Sequence, residues 1–200
     1  MLNACASRLL LTVLGLLPLP ALAVPWLVQV RGSHGQALAD AVVAVELKGQ
    51  PSKAPATASA QMAQRDRQFQ PYVLVVQTGT PVSFPNFDTV RHHVYSFSAA
   101  KKFDLKLYAG TPAEPVVFEK AGVATLGCNI HDKMSAHIVV VDTPLFGKTD
   151  AQGQLQLELP AGEHQLKIWH PRLALPQLQS QALSVGSSSG QSSVSLNVGD

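Results

Sequence analysis

The stretch VATLGCNIHDKMSAHIVVV, residues 123–141, contains a short turn with three side chains that can bind a soft metal ion. Cys128 offers a thiolate, His131 an imidazole and Met134 a thioether. The residues that flank the turn on both sides are mostly apolar and include several β-branched side chains, which favours two β-strands. The sequence therefore predicts a strand–turn–strand unit that presents three potential ligands at one end.

Two adjacent histidines, His92 and His93, lie upstream of this turn at the end of another strand-like run. A thiolate, two imidazoles and a weak axial thioether form the ligand set of mononuclear blue-copper electron-transfer sites. The turn supplies three of these four groups, and either upstream histidine would complete the set. Because neighbours on a strand point to opposite faces, we expect only one of the two to be a ligand.

Two other interpretations of the turn remain open. Zinc is a weaker match than copper, because a thioether such as that of Met134 is not a usual zinc ligand. Cys128 and His131 could instead form a nucleophile–base pair. No H-E-x-x-H, nucleophile-elbow or phosphate-loop motif accompanies them, so we expect a metal-binding protein that is not an enzyme.

The first 23 residues have the pattern of a secretory signal peptide. Arg8 precedes an apolar run over residues 9–17, and Ala21-Leu22-Ala23 matches the small-x-small cleavage motif. The run is much shorter than the roughly 20 residues that cross a bilayer. We therefore expect cleavage after Ala23, secretion, and no membrane span in the mature chain.

Removal of the signal peptide would leave a single cysteine. Cys5 lies in the predicted signal, so only Cys128 would remain, and a lone thiol in an oxidising compartment has no intramolecular disulfide partner. The charge is nearly balanced, with 15 Lys+Arg against 13 Asp+Glu. Without a basic stripe interleaved with aromatic residues, nucleic-acid binding has no support.

The rest of the chain predicts an all-β protein. Residues 68–142 carry short strand signals at a spacing of about 8–12 residues, which is typical of a β-sandwich or barrel. Residues 24–50 and 150–200 also alternate as strands do, while residues 50–60 are rich in Pro, Ala and Ser and predict a linker or loop.

The ligand motif resembles the copper site of the cupredoxins. Cys128-x-x-His131-x-x-Met134 has a spacing similar to the short ligand loop of amicyanin. The segment PNFDTVRHHV, residues 85–94, is similar to the cupredoxin segment that carries the first histidine ligand. The whole region 68–142 resembles the cupredoxin-like methylamine utilisation proteins of Gram-negative bacteria.

This resemblance implies a Greek-key cupredoxin β-sandwich that binds one copper ion through His92, Cys128, His131 and Met134. His93 would then occupy a position where cupredoxins usually have asparagine. The implied function is single-electron transfer in the periplasm between protein redox partners, with the His131 imidazole as the exit for the electron. Two alternatives remain open: a copper-delivery module without electron transfer, and a structural interaction protein with a vestigial metal site.

Two positions depart from the cupredoxin pattern. In the family, the asparagine after the first ligand ties the two ligand loops together through a residue after the cysteine. Here the corresponding pair is His93 and Asn129, so this tie must be rebuilt or lost. The position before the cysteine, often aromatic in the family, is Gly127.

The two ends of the chain have a second resemblance. Segments 35–43, 149–154 and 159–166 are similar to strands and turns of the carboxypeptidase-regulatory, transthyretin-like β-sandwich. This implies a small second sandwich that both chain ends build together. The expected organisation is a signal peptide at 1–23, N-terminal strands and linker at 24–59, a cupredoxin domain at 60–143 and the C-terminal part of the small sandwich at 144–200.

The remaining histidines are assigned roles outside the metal site. His137 and His170 are expected to be structural, and His34 and His164 to be exposed to solvent.

Overall fold

The computed structural model describes residues 23–48, 50 and 52–199, so nearly all of the predicted signal peptide lies outside the described residues. The described residues contain strands but no helix, and hence no helix that could cross a membrane. The prediction of an all-β fold is confirmed. The strands are β1 (Ala23–Gly32), β2 (Val42–Leu47), β3 (Ala60–Gln61), β4 (Ala63–Arg65), β5 (Gln68–Gln70), β6 (Val73–Gln77), β7 (Thr80–Ser83), β8 (His92–Phe97), β9 (Lys102–Tyr108), β10 (Val116–Phe118), β11 (Gly122–Cys128), β12 (Ser135–Val141), β13 (Phe146–Lys148), β14 (Gln154–Pro160), β15 (Gly162–Trp169), β16 (Gln179–Val185) and β17 (Gly190–Leu196).

The largest sheet contains the predicted ligand segments. Its strand order is β6-β12-β11-β8-β9, with β6 parallel to β12 and the other neighbours antiparallel. A smaller sheet, β10-β7-β3, shares one hydrophobic cluster with it, which we call the site cluster. Phe84, Phe118, Leu126 and Ile138 are among its fully buried members. The two sheets therefore form a sandwich whose core extends to the ligand turn.

The chain ends build two further sheets around a separate core. One sheet has the order β14-β1-β17 and the other β13-β2-β15-β16. Side chains from both share a second cluster, which we call the end cluster and which includes Val28, Val43, Leu166 and Leu196. Both ends of the chain thus contribute to one β core. Its likeness to the transthyretin-like sandwich and the domain boundaries given above remain predictions.

A third cluster packs the two cores against each other, and we call it the joining cluster. Its buried members are Val42, Ala44, Val73, Val123, Val139, Val141 and Trp169. Alternation along the strands explains it: on β12, Ile138 and Val140 point into the site cluster, while Val139 and Val141 point into the joining cluster. The continuous apolar runs in β2 and β12 therefore reflect strands that are buried on both faces.

His137 lies at the joining cluster, in agreement with its expected structural role. Its ring centroid is 5.0 Å from that of Trp169 and 5.4 Å from that of Tyr72, and Nδ1 lies 3.3 Å from Thr125 Oγ1. Burial lowers the pKa of His137 below its ordinary value of 6.5. The packing around His137 therefore favours the neutral imidazole over the positively charged one.

This lowered pKa predicts a loss of stability in mild acid. Below about pH 6.5 the unfolded chain binds a proton at His137 more readily than the folded chain does, so the stability present above that pH is lost as the pH falls through the folded pKa. We expect the urea midpoint of the metal-free protein to fall between about pH 7.5 and pH 5.5, and to fall less in a His137→Gln variant. His34→Gln, at an exposed position, is the matched control. An equal fall in all three proteins would contradict the prediction.

The structure also tests the roles that the sequence predicted for His170 and His164. His170 is buried, with Nε2 3.2 Å from the Ala39 carbonyl, as expected for a structural residue. The prediction that His164 is exposed was wrong, because the residue is 8% exposed and its Nε2 lies 2.8 Å from the Pro160 carbonyl. On β15 it shares a face with Leu166, which faces the end cluster.

Candidate metal centre

The ligand turn connects the ends of two paired strands. β11 ends at Cys128 and β12 begins at Ser135, and the two strands are antiparallel neighbours. The amide of Cys128 donates to the Met134 carbonyl at 3.2 Å, and that of Met134 donates to the His131 carbonyl at 2.9 Å. These hydrogen bonds close the turn. They bring the side chains of Cys128, His131 and Met134 to one end of the sandwich.

The first histidine reaches the same place from the neighbouring strand. β8 begins at His92 and pairs with β11, with Val94 opposite Cys128. His92 and Val94 share a face of β8, and both are fully buried. The register between two strands, and not proximity in sequence, therefore places His92 beside the turn.

Three donor atoms converge at this point. His92 Nδ1 lies 3.7 Å from Cys128 Sγ, and His131 Nδ1 lies 3.8 Å from the same sulfur. All three atoms lie within 4.8 Å of one another. Ligand bonds of about 2.3 Å to sulfur and about 2.0 Å to nitrogen, directed 120° apart, would separate sulfur from nitrogen by about 3.7 Å. The observed spacing fits three donors that bind a single ion.

Burial differs among these residues. His92 is 0% exposed and Cys128 4%, whereas His131 is only partly buried. Met134 is 2% exposed and belongs to the site cluster together with Cys128. The predicted thioether therefore lies in the apolar core beneath the turn, and His131 is the member of the set closest to solvent.

His93 points away from the converging atoms. Its Nε2 hydrogen-bonds Asp104 on β9, and its ring packs edge-on against Tyr95 at a centroid distance of 5.9 Å. Among the described residues it makes no hydrogen bond to Asn129, which is exposed. These two residues are therefore not tied to each other, and His93 instead pairs with Asp104 on β9.

Asp88 holds the other side of the His92 ring, a contact that the sequence did not reveal. Its Oδ2 lies 2.8 Å from His92 Nε2, while Oδ1 and Oδ2 accept the backbone N–H groups of Asp66 at 2.7 Å and Arg67 at 3.0 Å. Burial raises the pKa of the Asp88 carboxyl, but these hydrogen bonds together lower it below its usual value. The signal in the sequence was the position of Asp88, four residues before His92 and within the segment 85–94 that resembles the first-ligand segment of the cupredoxins.

The glycine before the cysteine accommodates an aromatic ring from the next strand. Gly127 is paired with Tyr95, and a Cβ at position 127 would come within 2.7 Å of the Tyr95 ring and hydroxyl. The space that a side chain of residue 127 would need is therefore already filled. The aromatic ring next to Cys128 in the sheet is therefore supplied by β8.

Comparisons with known proteins give a match only among solved structures. No protein-family model matches the chain, and no curated protein matches it.

The similar solved structures include a purple cupredoxin from Nitrosopumilus maritimus, with 24% identity, a TM-score of 0.36, and coverage of 40% of this chain and 98% of that one. A copper-containing nitrite reductase from Thermus scotoductus has 24% identity, a TM-score of 0.40, and coverage of 47% and 26%. A reduced amicyanin variant has 17% identity, a TM-score of 0.38, and coverage of 49% and 97%. The chain is thus similar to cupredoxins over less than half of its length.

Proposed function

We propose that this chain is a periplasmic mononuclear copper protein that transfers single electrons between protein partners. His92, Cys128 and His131 would hold the ion, with Met134 as a weaker fourth ligand. One observation carries the proposal: Cys128 Sγ lies 3.7 and 3.8 Å from two imidazole nitrogens, at the meeting point of two strands.

The composition of the donor set favours copper over zinc. One thiolate, two imidazoles and a thioether match the ligands of blue-copper sites, whereas structural zinc sites use thiolates and imidazoles alone. When bound, copper would supply a one-electron couple between Cu(I) and Cu(II). The thioether of Met134 would then help to set the potential, as weakly bound thioethers do in such sites.

The scaffold suits electron transfer because the ligand residues are held by backbone pairing and burial. His92 and Cys128 lie at the ends of hydrogen-bonded strands, and both are almost fully buried. Packed side chains move little, so the donor atoms would keep nearly the same positions in both oxidation states. His131, partly exposed, would be the point at which electrons pass to and from a partner.

The cellular location follows from the proposed signal peptide, which would deliver the chain to the periplasm. The Cys128 thiol is buried and forms no disulfide within the described residues, in keeping with a ligand role. The proposed partners are other redox proteins.

An absorption spectrum tests this function. Purified protein mixed with Cu(II) is expected to develop an intense thiolate-to-copper band in the visible range, and a Cys128→Ala variant that folds normally is expected to show none. Reversible reduction of the coloured form would support electron transfer. Rapid loss of copper to a chelator without a stable redox couple would support delivery instead. A colourless wild-type protein that folds would contradict the proposal and favour a structural role.

A further inference from the structure

Two adjacent histidines on β8 each bind a carboxylate, but only one faces the converging donor atoms. His92 Nε2 lies 2.8 Å from Asp88 Oδ2, and its Nδ1 faces Cys128 Sγ. His93 Nε2 binds Asp104 on the opposite face of the strand. Both are histidine–carboxylate pairs, so Asp104, which also pairs with Lys106 at 2.7 Å, serves as an internal control for Asp88.

Asp88 is itself held in place by the backbone. Asp66 and Arg67 form the turn between β4 and β5, with φ values of 56° and 58°. This left-handed conformation turns both amides toward the Asp88 carboxylate, which accepts them at 2.7 and 3.0 Å. The Asp88 side chain is only 13% exposed. Three hydrogen bonds, from Asp66, Arg67 and His92, hold it in place.

A carboxylate in this position determines the proton arrangement of His92. An ionised carboxylate can only accept hydrogen bonds, so His92 Nε2 must carry the hydrogen. In the neutral ring Nδ1 then has a free lone pair, and that lone pair faces Cys128 Sγ 3.7 Å away. The opposite tautomer would put an N–H group where a metal ligand needs a lone pair.

We propose that Asp88 is a positioning residue that fixes the ring orientation and tautomer of His92 for metal binding, an inference that rests on the proposed function. It links the turn between β4 and β5 to the ligand set through a single side chain. Partners of this kind commonly change metal affinity by about 10–100-fold when they are removed.

The first test needs no metal. Long-range proton–nitrogen NMR spectra of the metal-free protein report which nitrogen of each imidazole carries hydrogen. We expect His92 to be protonated at Nε2 in the wild type and in an Asp104→Asn variant, and to populate the Nδ1–H form in an Asp88→Ala variant. This result decides the role of Asp88 even if the wild type takes up no copper, which would overturn only the proposed function.

The second test uses copper as the probe. Asp88→Ala is expected to lower Cu(II) affinity by about 10–100-fold in chelator competition, while Asp104→Asn leaves it unchanged. Asp88→Asn guards against misfolding, because its amide oxygen can still accept from Arg67 and His92 and only the hydrogen bond from Asp66 is lost. We expect this variant to keep most of the affinity but to have a higher reduction potential, since a negative charge next to a ligand has been removed.

A purely structural role would give a different pattern. If Asp88→Asn and Asp104→Asn have the same potential, and Asp88→Ala retains the His92 tautomer and the Cu(II) affinity of the control, the proposal is overturned. Hydrogen at Nδ1 of His92 in the wild type would overturn it as well.

Discussion

A His92→Ala variant is expected to lose the thiolate-to-copper band completely, whereas the same change at His93 should leave it almost unaltered. The reason is geometric. His92 is fully buried with Nδ1 3.7 Å from Cys128 Sγ, while His93 lies on the opposite face of β8 and binds Asp104. Loss of His92 would leave only two of the three converging donor atoms, so the proposed copper site would be incomplete.

The pair is a stringent test because the two substitutions are chemically identical and adjacent in sequence. Absorption spectra after addition of Cu(II) give the result, and far-UV circular dichroism of the metal-free variants checks the fold. A band that survives in His92→Ala but disappears in His93→Ala would show that His93 is the ligand and would contradict the prediction.

The second large effect is expected at the joining cluster. Trp169 is 2% exposed and packs with the valines of the joining cluster. Its ring centroid lies 5.0 Å from that of His137. Replacing it with alanine would leave a large cavity, and such changes typically cost about 3–5 kcal/mol. We expect Trp169→Ala to lower the free energy of unfolding by about this amount, measured by urea unfolding of the metal-free protein.

Leu175→Ala is the control for this substitution, because Leu175 is 64% exposed and its loss should change stability by less than about 0.5 kcal/mol. The shape of the transition is also informative. A single shifted transition means that the two cores unfold together, while two transitions mean that they unfold separately. A cost for Trp169→Ala no greater than that of the control would show that the joining cluster contributes little to stability.

Local patterns explain how much of the site could be predicted from the sequence. The spacing Cys128-x-x-His131-x-x-Met134 lies within one turn, and the alternation of the flanking residues is visible in the sequence itself. The same alternation separated His92 from His93, because strand neighbours always face opposite ways. The all-β structure and the convergence of Cys128 with His131 could therefore be predicted from short segments of the sequence.

What the sequence by itself determined was a ligand turn between two strands, a choice between two histidines, and a chain made of β-strands. Only the tertiary structure decided the contacts that depend on the register of distant strands. These include the Asp88 carboxylate on the turn at Asp66, the Tyr95 ring over Gly127, and the burial of His164. The physical reason is that periodicity along a strand determines which face a side chain occupies, whereas the group that meets it there belongs to another segment brought close only by folding.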